Sequence, residues 1–104
     1  MVLIHVTYSN EEEAGKISKI VLEKGLAGTV DLWRINSLHI DMESKELISA
    51  PGVALLIKTV EAKVQEIENL IHEHNQHKTL PCIAVINLFR INREYKEWLQ
   101  LCIK

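Results

Sequence analysis

The sequence is poor in aromatic residues, proline, glycine and cysteine. Aromatics make up 5% of its 104 residues, beside two prolines, four glycines and two cysteines. Two cysteines, Cys82 and Cys102, are too few for a disulfide framework, so a reducing, cytoplasmic setting is expected. Proline and glycine so scarce and scattered leave no linker, and the length fits one domain over residues 1–104. No stretch reaches the ~18 consecutive apolar residues of a membrane span, so no membrane partner is expected. Met1 to Tyr8 is apolar but short. It has no basic leader and no small-residue cleavage site, and does not read as a signal peptide. A one-signed charge is missing as well. The 12 Lys and Arg face 14 Asp and Glu, which excludes a nucleic-acid binder that works by neutralising phosphates. There is no Gly-rich phosphate loop and no nucleophile elbow around any serine, so catalysis is not expected.

What is there is aliphatic. Hydrophobic residues are 47% of the chain, most of them Ile, Leu, Val and Ala, which excludes intrinsic disorder. Val2 to Tyr8 is short and apolar or β-branched, and reads as a strand. Ser9 with Glu12, or Asn10 with Glu13, forms a capping-box pattern. The run Glu11-Glu12-Glu13 suits the positive end of the helix that follows, which stops near Lys24-Gly25. Thr29 to Asp41 alternates as a long strand, and Met42 to Lys45 is a turn. Glu46 to Thr59 is a second long strand, in which Pro51-Gly52 predicts a bulge or bend. Val60 to Asn75 carries helical spacing, Cys82 to Phe89 is a strand-length apolar run, and Asn92 opens a last helix.

The order is β-α-β-β-α-β with an added C-terminal helix. The expected fold is therefore α/β (α+β), ferredoxin-like, with a mainly antiparallel sheet and two helices on one face. In the first strand Val2, Ile4 and Val6 alternate with Leu3, His5 and Thr7, and both sides are largely apolar. Such a strand wants cover on both faces. The C-terminal helix covers part of the second face, and a partner subunit is the natural cover for the rest.

Several segments resemble the CutA family of divalent-cation tolerance proteins. They are Val2-Leu3-Ile4-His5-Val6-Thr7 before a Glu-rich helix start, Leu26-Ala27, Leu56-Ile57-Lys58-Thr59, Pro81-Cys82-Ile83, and Asn92 to Leu99 with Tyr95 and Trp98. The resemblance covers nearly the whole chain. It implies a non-enzymatic homotrimer in which the long second and third strands pair across subunits and the sheets face inward. It also implies a role in tolerance of copper or another divalent cation, weakly bound. The family is similar to the PII signalling trimers, so a sensor or protein-interaction module that binds a small anion in a subunit cleft is the alternative, with an unidentified protein partner. Thr7, Pro81, Tyr95 and Trp98 are scaffold or interface positions on this resemblance. Three departures stand out. The family's early second-strand cysteine is replaced within Ala27-Gly28-Thr29-Val30-Asp31. Its Y-x-W-x-G turn gives way to His39-Ile40-Asp41-Met42-Glu43. A glutamate before the LIKT lysine gives way to Gly52.

The candidate chemistry is sparse. His72, His74 and His77 lie close in sequence, with Cys82 after them, and imidazole and thiolate suit copper and zinc. Residues two apart on a helix point apart, however, so His72 and His74 do not converge. His74 continues the apolar stripe, which favours packing. His77 is the leading ligand candidate, because the family's histidine sits in that loop. His39, Asp41 and Glu43 share one face of a strand and form a second metal candidate, or else a solvated hairpin end. Lys58 and Thr59 precede a helix start and are candidates to meet an anionic effector; a strand-end ion pair is the other reading. Cys82 and Cys102 read as inert packed thiols, and Trp98 as core.

Overall fold

The computed structural model describes residues 1–75 and 81–104. Its elements are β1 (Val2–Tyr8), α1 (Glu11–Glu23), β2 (Thr29–Ile40), β3 (Leu47–Thr59), a short 3-10 turn (Glu61–Lys63), α2 (Val64–Glu73), β4 (Ile83–Asn87) and α3 (Arg93–Cys102). The sheet order is β2-β3-β1-β4, and every neighbouring pair is antiparallel. This is the ferredoxin-like arrangement that the element order predicts.

Local chemistry sets the ends of α1. Of the two capping patterns, Asn10 is the one used: its side-chain oxygen accepts from the Glu13 N–H at 2.8 Å. Gly25 takes φ +69° just past the helix, where a side chain would be strained. The alternation of β1 and β3 then builds the core. Ile4 and Val6 with Val53, Leu55 and Ile57 face Ile17 and Val21 of α1 and Ile67 and Ile71 of α2. Thr59, also fully buried, donates its hydroxyl to the Leu26 carbonyl, which ties the end of β3 to the start of β2.

Several expectations are corrected. No bulge forms at Pro51-Gly52: the register between β2 and β3 runs unbroken from Thr29↔Lys58 to Ile40↔Leu47. Proline is tolerated because β1 ends at Tyr8, opposite Val53, so Pro51 lies where β3 pairs on one side only. The helix expected over Val60 to Asn75 begins as a 3-10 turn and ends at Glu73. β4, Ile83–Asn87, is shorter than the apolar run Cys82 to Phe89, and its last residue meets Val2, the first residue of β1. Cys82 is exposed rather than packed, and Cys102 half-buried. Trp98 is 42% exposed rather than core, and the buried residue of α3 is Leu99.

Gly52 is needed for a different reason from the one expected. A Cβ there would stand 2.7 Å from the Tyr8 carbonyl oxygen, a backbone atom that cannot step aside. Gly52→Ala is expected to cost about 1–3 kcal/mol in urea unfolding, the usual range for overpacking. Gly15→Ala is the control. Gly15 lies inside α1 with nothing within 4 Å of an added Cβ, so its replacement should stabilise by up to ~1 kcal/mol.

The strand lengths decide the shape. β1 has 7 residues and β3 has 13, so the far half of the β2–β3 pair projects as a two-stranded arm past the end of β1. Leu38, Ile40 and Leu47 on this arm are 65%, 53% and 68% exposed, and all three lie on the side that the helices cover elsewhere.

Candidate functional site

The sheet face away from α1 and α2 carries one of the two sequence-expected effector residues, Lys58, at one end. Lys58 on β3 reaches Asp31 on β2 at 3.2 Å, and its ammonium lies 5.8 Å from the Tyr95 ring centroid. Tyr95 Oη is 3.3 Å from Thr29 Oγ1, and its ring sits 5.4 Å from that of Trp98. A Cβ on Gly28 would collide with Leu99, so the bare glycine lets α3 lie against the start of β2. Lys58 is therefore engaged in a strand-end ion pair under α3. Thr59 points to the opposite, helix-covered face and has no exposed surface to offer an effector. Thr7 is exposed at the far end of β1, and Pro81 is half-buried just before β4.

The metal candidates are dispersed. β2 ends at Ile40; Asp41, two residues past His39, donates its N–H to the Glu46 carbonyl and closes the hairpin, while Glu43 lies in the turn beyond it. The turn uses Asp41 for itself. The Ser44 hydroxyl donates to Asp41 Oδ2 at 2.8 Å and the Ser44 N–H to the same oxygen at 3.3 Å. His74 is half-buried at the C-terminal cap of α2, and His72 is exposed. His77 lies outside the described residues. Among the described residues no three of His, Cys, Asp and Glu gather closely enough to hold a metal ion. One chain's described residues thus do not fit a closed metal centre.

The Asp41 turn has a pH signature. The Ser44 hydroxyl bond first, then the Ser44 N–H bond, hold the Asp41 carboxyl below the usual carboxylate range. A depressed folded value means the turn is tightened above the ordinary Asp range of about 3.9 and loosens as pH falls through the lower folded value. In an NMR titration, Asp41 should protonate below the ordinary range, and Ser44→Ala should move it back up. An ordinary value in the unaltered protein would mean that the turn bonds are not populated.

Sequence reasoning missed one feature. A cavity of about 600 Å³ lies at the end of β1, lined by Tyr8, Glu13, Ile35, Gly52, Ile71 and Cys82 among others. The Tyr8 hydroxyl is buried with no hydrogen-bond partner among the described residues. Burial, and then the charge of Glu13, raise its pKa above the ordinary tyrosine value. The mismatch between a 7-residue β1 and its longer neighbour was the signal for this notch, and strand pairing was needed to see it.

Comparison with known proteins settles the family. The model of the CutA1 divalent ion tolerance protein matches residues 2–101. The chain belongs to the CutA1 family. It is 32% identical over 96 residues to the divalent-cation tolerance protein CutA of Archaeoglobus fulgidus, covering 92% of this chain and 91% of that one. The Thermotoga maritima CutA is 28% identical over 100 residues, with 96% of each chain covered. The solved A. fulgidus CutA, described as periplasmic, matches with TM-score 0.89 at 28% identity over the whole of both chains. The Pyrococcus horikoshii CutA matches in fold with TM-score 0.91 at 23% identity, again over both whole chains. The resemblance read from the sequence and the family match thus agree on the divalent-cation tolerance family. Among the described residues no helix is long and apolar enough to cross a membrane.

Proposed function

We propose that this chain is a non-enzymatic CutA1 protein of the response to divalent metal ions, acting in the cytoplasm as a homotrimer that binds copper weakly. The observation that carries this reading is the family match over residues 2–101. The projecting arm supports the assembly. A lone two-stranded ribbon is marginal in water, and this one exposes Leu38, Ile40, Leu47 and Ile48. Two unpaired cysteines support a reducing compartment. Copper ligands come from single imidazoles such as His77, His74 and His39, with the carboxylate of Asp41 competing for its own turn. This accords with weak binding. The anionic-effector alternative draws no support from Lys58, which already has Asp31 as its partner, or from buried Thr59.

Calorimetry on metal-free protein tests the metal reading. Cu(II) is expected to bind with a Kd on the order of micromolar, and His77→Ala is expected to weaken it. No measurable heat at sub-millimolar protein would sink the metal-binding claim. Light scattering at micromolar concentration should give three times the 11.9 kDa mass of one chain, and a monomer mass would refute the trimer.

A further inference from the structure

α3 is held to the body more lightly than the other helices. Leu99 is its one buried residue, against five in α1 and three in α2. Leu99 also stands outside the core cluster that Ile17, Val21, Ile67 and Ile71 share with the strands. Elsewhere on the helix, Leu101 is 84% and Trp98 42% exposed. Its anchors lie around the start of β2 and the end of β3. Leu99 and Trp98 lie over Gly28. Tyr95 meets the Thr29 hydroxyl at 3.3 Å, and the Lys58 ammonium lies 5.8 Å from its ring centroid. Past the helix, the Lys104 N–H donates to the Gly25 carbonyl at 2.9 Å, and the Lys104 side chain packs over Gly25. Before the helix, the Leu88 N–H is tied to the Met1 carbonyl at 3.3 Å. Residues 89–92, between that tie and α3, have no regular structure, and Phe89 is fully exposed.

We propose that α3 is a strap that lifts off the sheet as one unit, hinged at residues 89–92, while the four strands, α1 and α2 stay folded, and that its lifting bares Lys58. The physical basis is the uneven distribution of apolar burial. Parts of a fold open separately when few buried contacts tie them to the rest. Opening α1 or α2 disrupts the shared core, because both helices supply side chains to it. Opening α3 gives up the burial of Leu99, the Tyr95 contacts and the Lys104 bond, and leaves every core residue in place. A free helix of 10 residues is also marginal in water, so the lifted segment loses its own hydrogen bonds. Lifting and melting of α3 are therefore one event. The exposed segment 89–92 absorbs the change of direction, since the Leu88 tie holds the chain on the sheet side of it. In the docked state Tyr95 and Asp31 both stand against Lys58. In the lifted state the Tyr95 ring is gone and only Asp31 remains, so this end of the sheet opens to solvent.

Amide hydrogen exchange on the full chain tests this, in whatever state of assembly it adopts. The amides of Glu97 to Cys102 should exchange at least ~100-fold faster than the buried amides of α1, after correction for intrinsic rates. Leu99→Ala should speed all of them together, by about tenfold or more, and leave α1 and α2 unchanged. Gly28→Ala should act in the same direction, because its Cβ would stand 2.6 Å from Leu99 Cδ1. Acetylation by a succinimidyl ester supplies the second readout. Lys58 should react several-fold faster in Leu99→Ala than in the parent, whereas Lys16, exposed on α1, should react at the parent's rate. Protection of α3 equal to that of α1 would overturn the proposal. So would a graded loss of protection from Cys102 inwards that leaves Glu97 unmoved by Leu99→Ala, since that is fraying. A Leu99→Ala protein in which α1 and α2 exchange faster in step with α3 would place α3 in the core unit and overturn it too. Faster exchange of α3 with Lys58 no more reactive would overturn the uncovering of Lys58.

Discussion

Replacing Leu38 and Leu47 together by aspartate is expected to break the assembly into monomers while the α/β body stays folded. Both residues lie on the arm beyond the end of β1, at 65% and 68% exposure, and neither touches the core. In a single chain their apolar neighbour is Ile40, the register partner of Leu47, which leaves both mostly exposed, so the substitution removes little from the subunit fold. In an assembly each leucine contributes about 1.5–3 kcal/mol when fully covered. An aspartate at the same place adds the cost of desolvating a charge that has no partner. Two such positions per subunit weaken association by well over a thousandfold, on the order of 4 kcal/mol or more. Light scattering should fall to the mass of one chain, and circular dichroism should show the helices intact. An unchanged mass would show that the arm is not part of the contact.

The second large effect belongs to the core. Ile57 is fully buried at the centre of the sheet, paired with Ile4 on β1 and Val30 on β2. Its side chain belongs to the cluster that also holds Ile17 and Val21 of α1 and Ile67 and Ile71 of α2. Ile57→Ala removes apolar contact from both helices at once and leaves a void that rigid strands cannot close. The expected loss is about 2–5 kcal/mol, against the 5–15 kcal/mol usual for a domain. Urea unfolding at one fixed protein concentration measures it, because assembly makes apparent stability depend on concentration. Leu101→Ala is the matched control. Leu101 is 84% exposed on α3, so its truncation should stay within about 0.5 kcal/mol.

Much of the fold was legible because the signals were local. β1 was bounded at Tyr8 by the polar Ser9-Asn10, and α1 by a cap and a glycine, both of which the structure uses. Pro51 misled because a proline's meaning in a strand depends on whether a neighbour needs its N–H, and that depends on where β1 stops. Trp98 and Cys82 misled for the same kind of reason. An apolar stripe or run tells which residues can be buried, whereas the partner element decides how far the burial extends. The candidate site was less legible still. His39 and Asp41 are two apart, but the turn that follows takes up the Asp41 carboxylate through Ser44 and carries Glu43 away from the strand.

Sequence alone determined the element order and the two-sided apolar character of β1, since periodicity, caps and turns act over a few residues. The family match added its name from the same residues. Tertiary structure decided the rest. It placed Lys58 against Asp31, hid Thr59 beneath the helices, and set His5 among Leu56, Ala84 and Trp33. The scarcity of aromatics leaves few large side chains to cover an extra sheet face. Pairing a 7-residue strand with a 13-residue one leaves the arm and that face beyond the reach of the chain's own helices. Those contacts join residues far apart in sequence, and register and strand length, not local pattern, fix which of them meet.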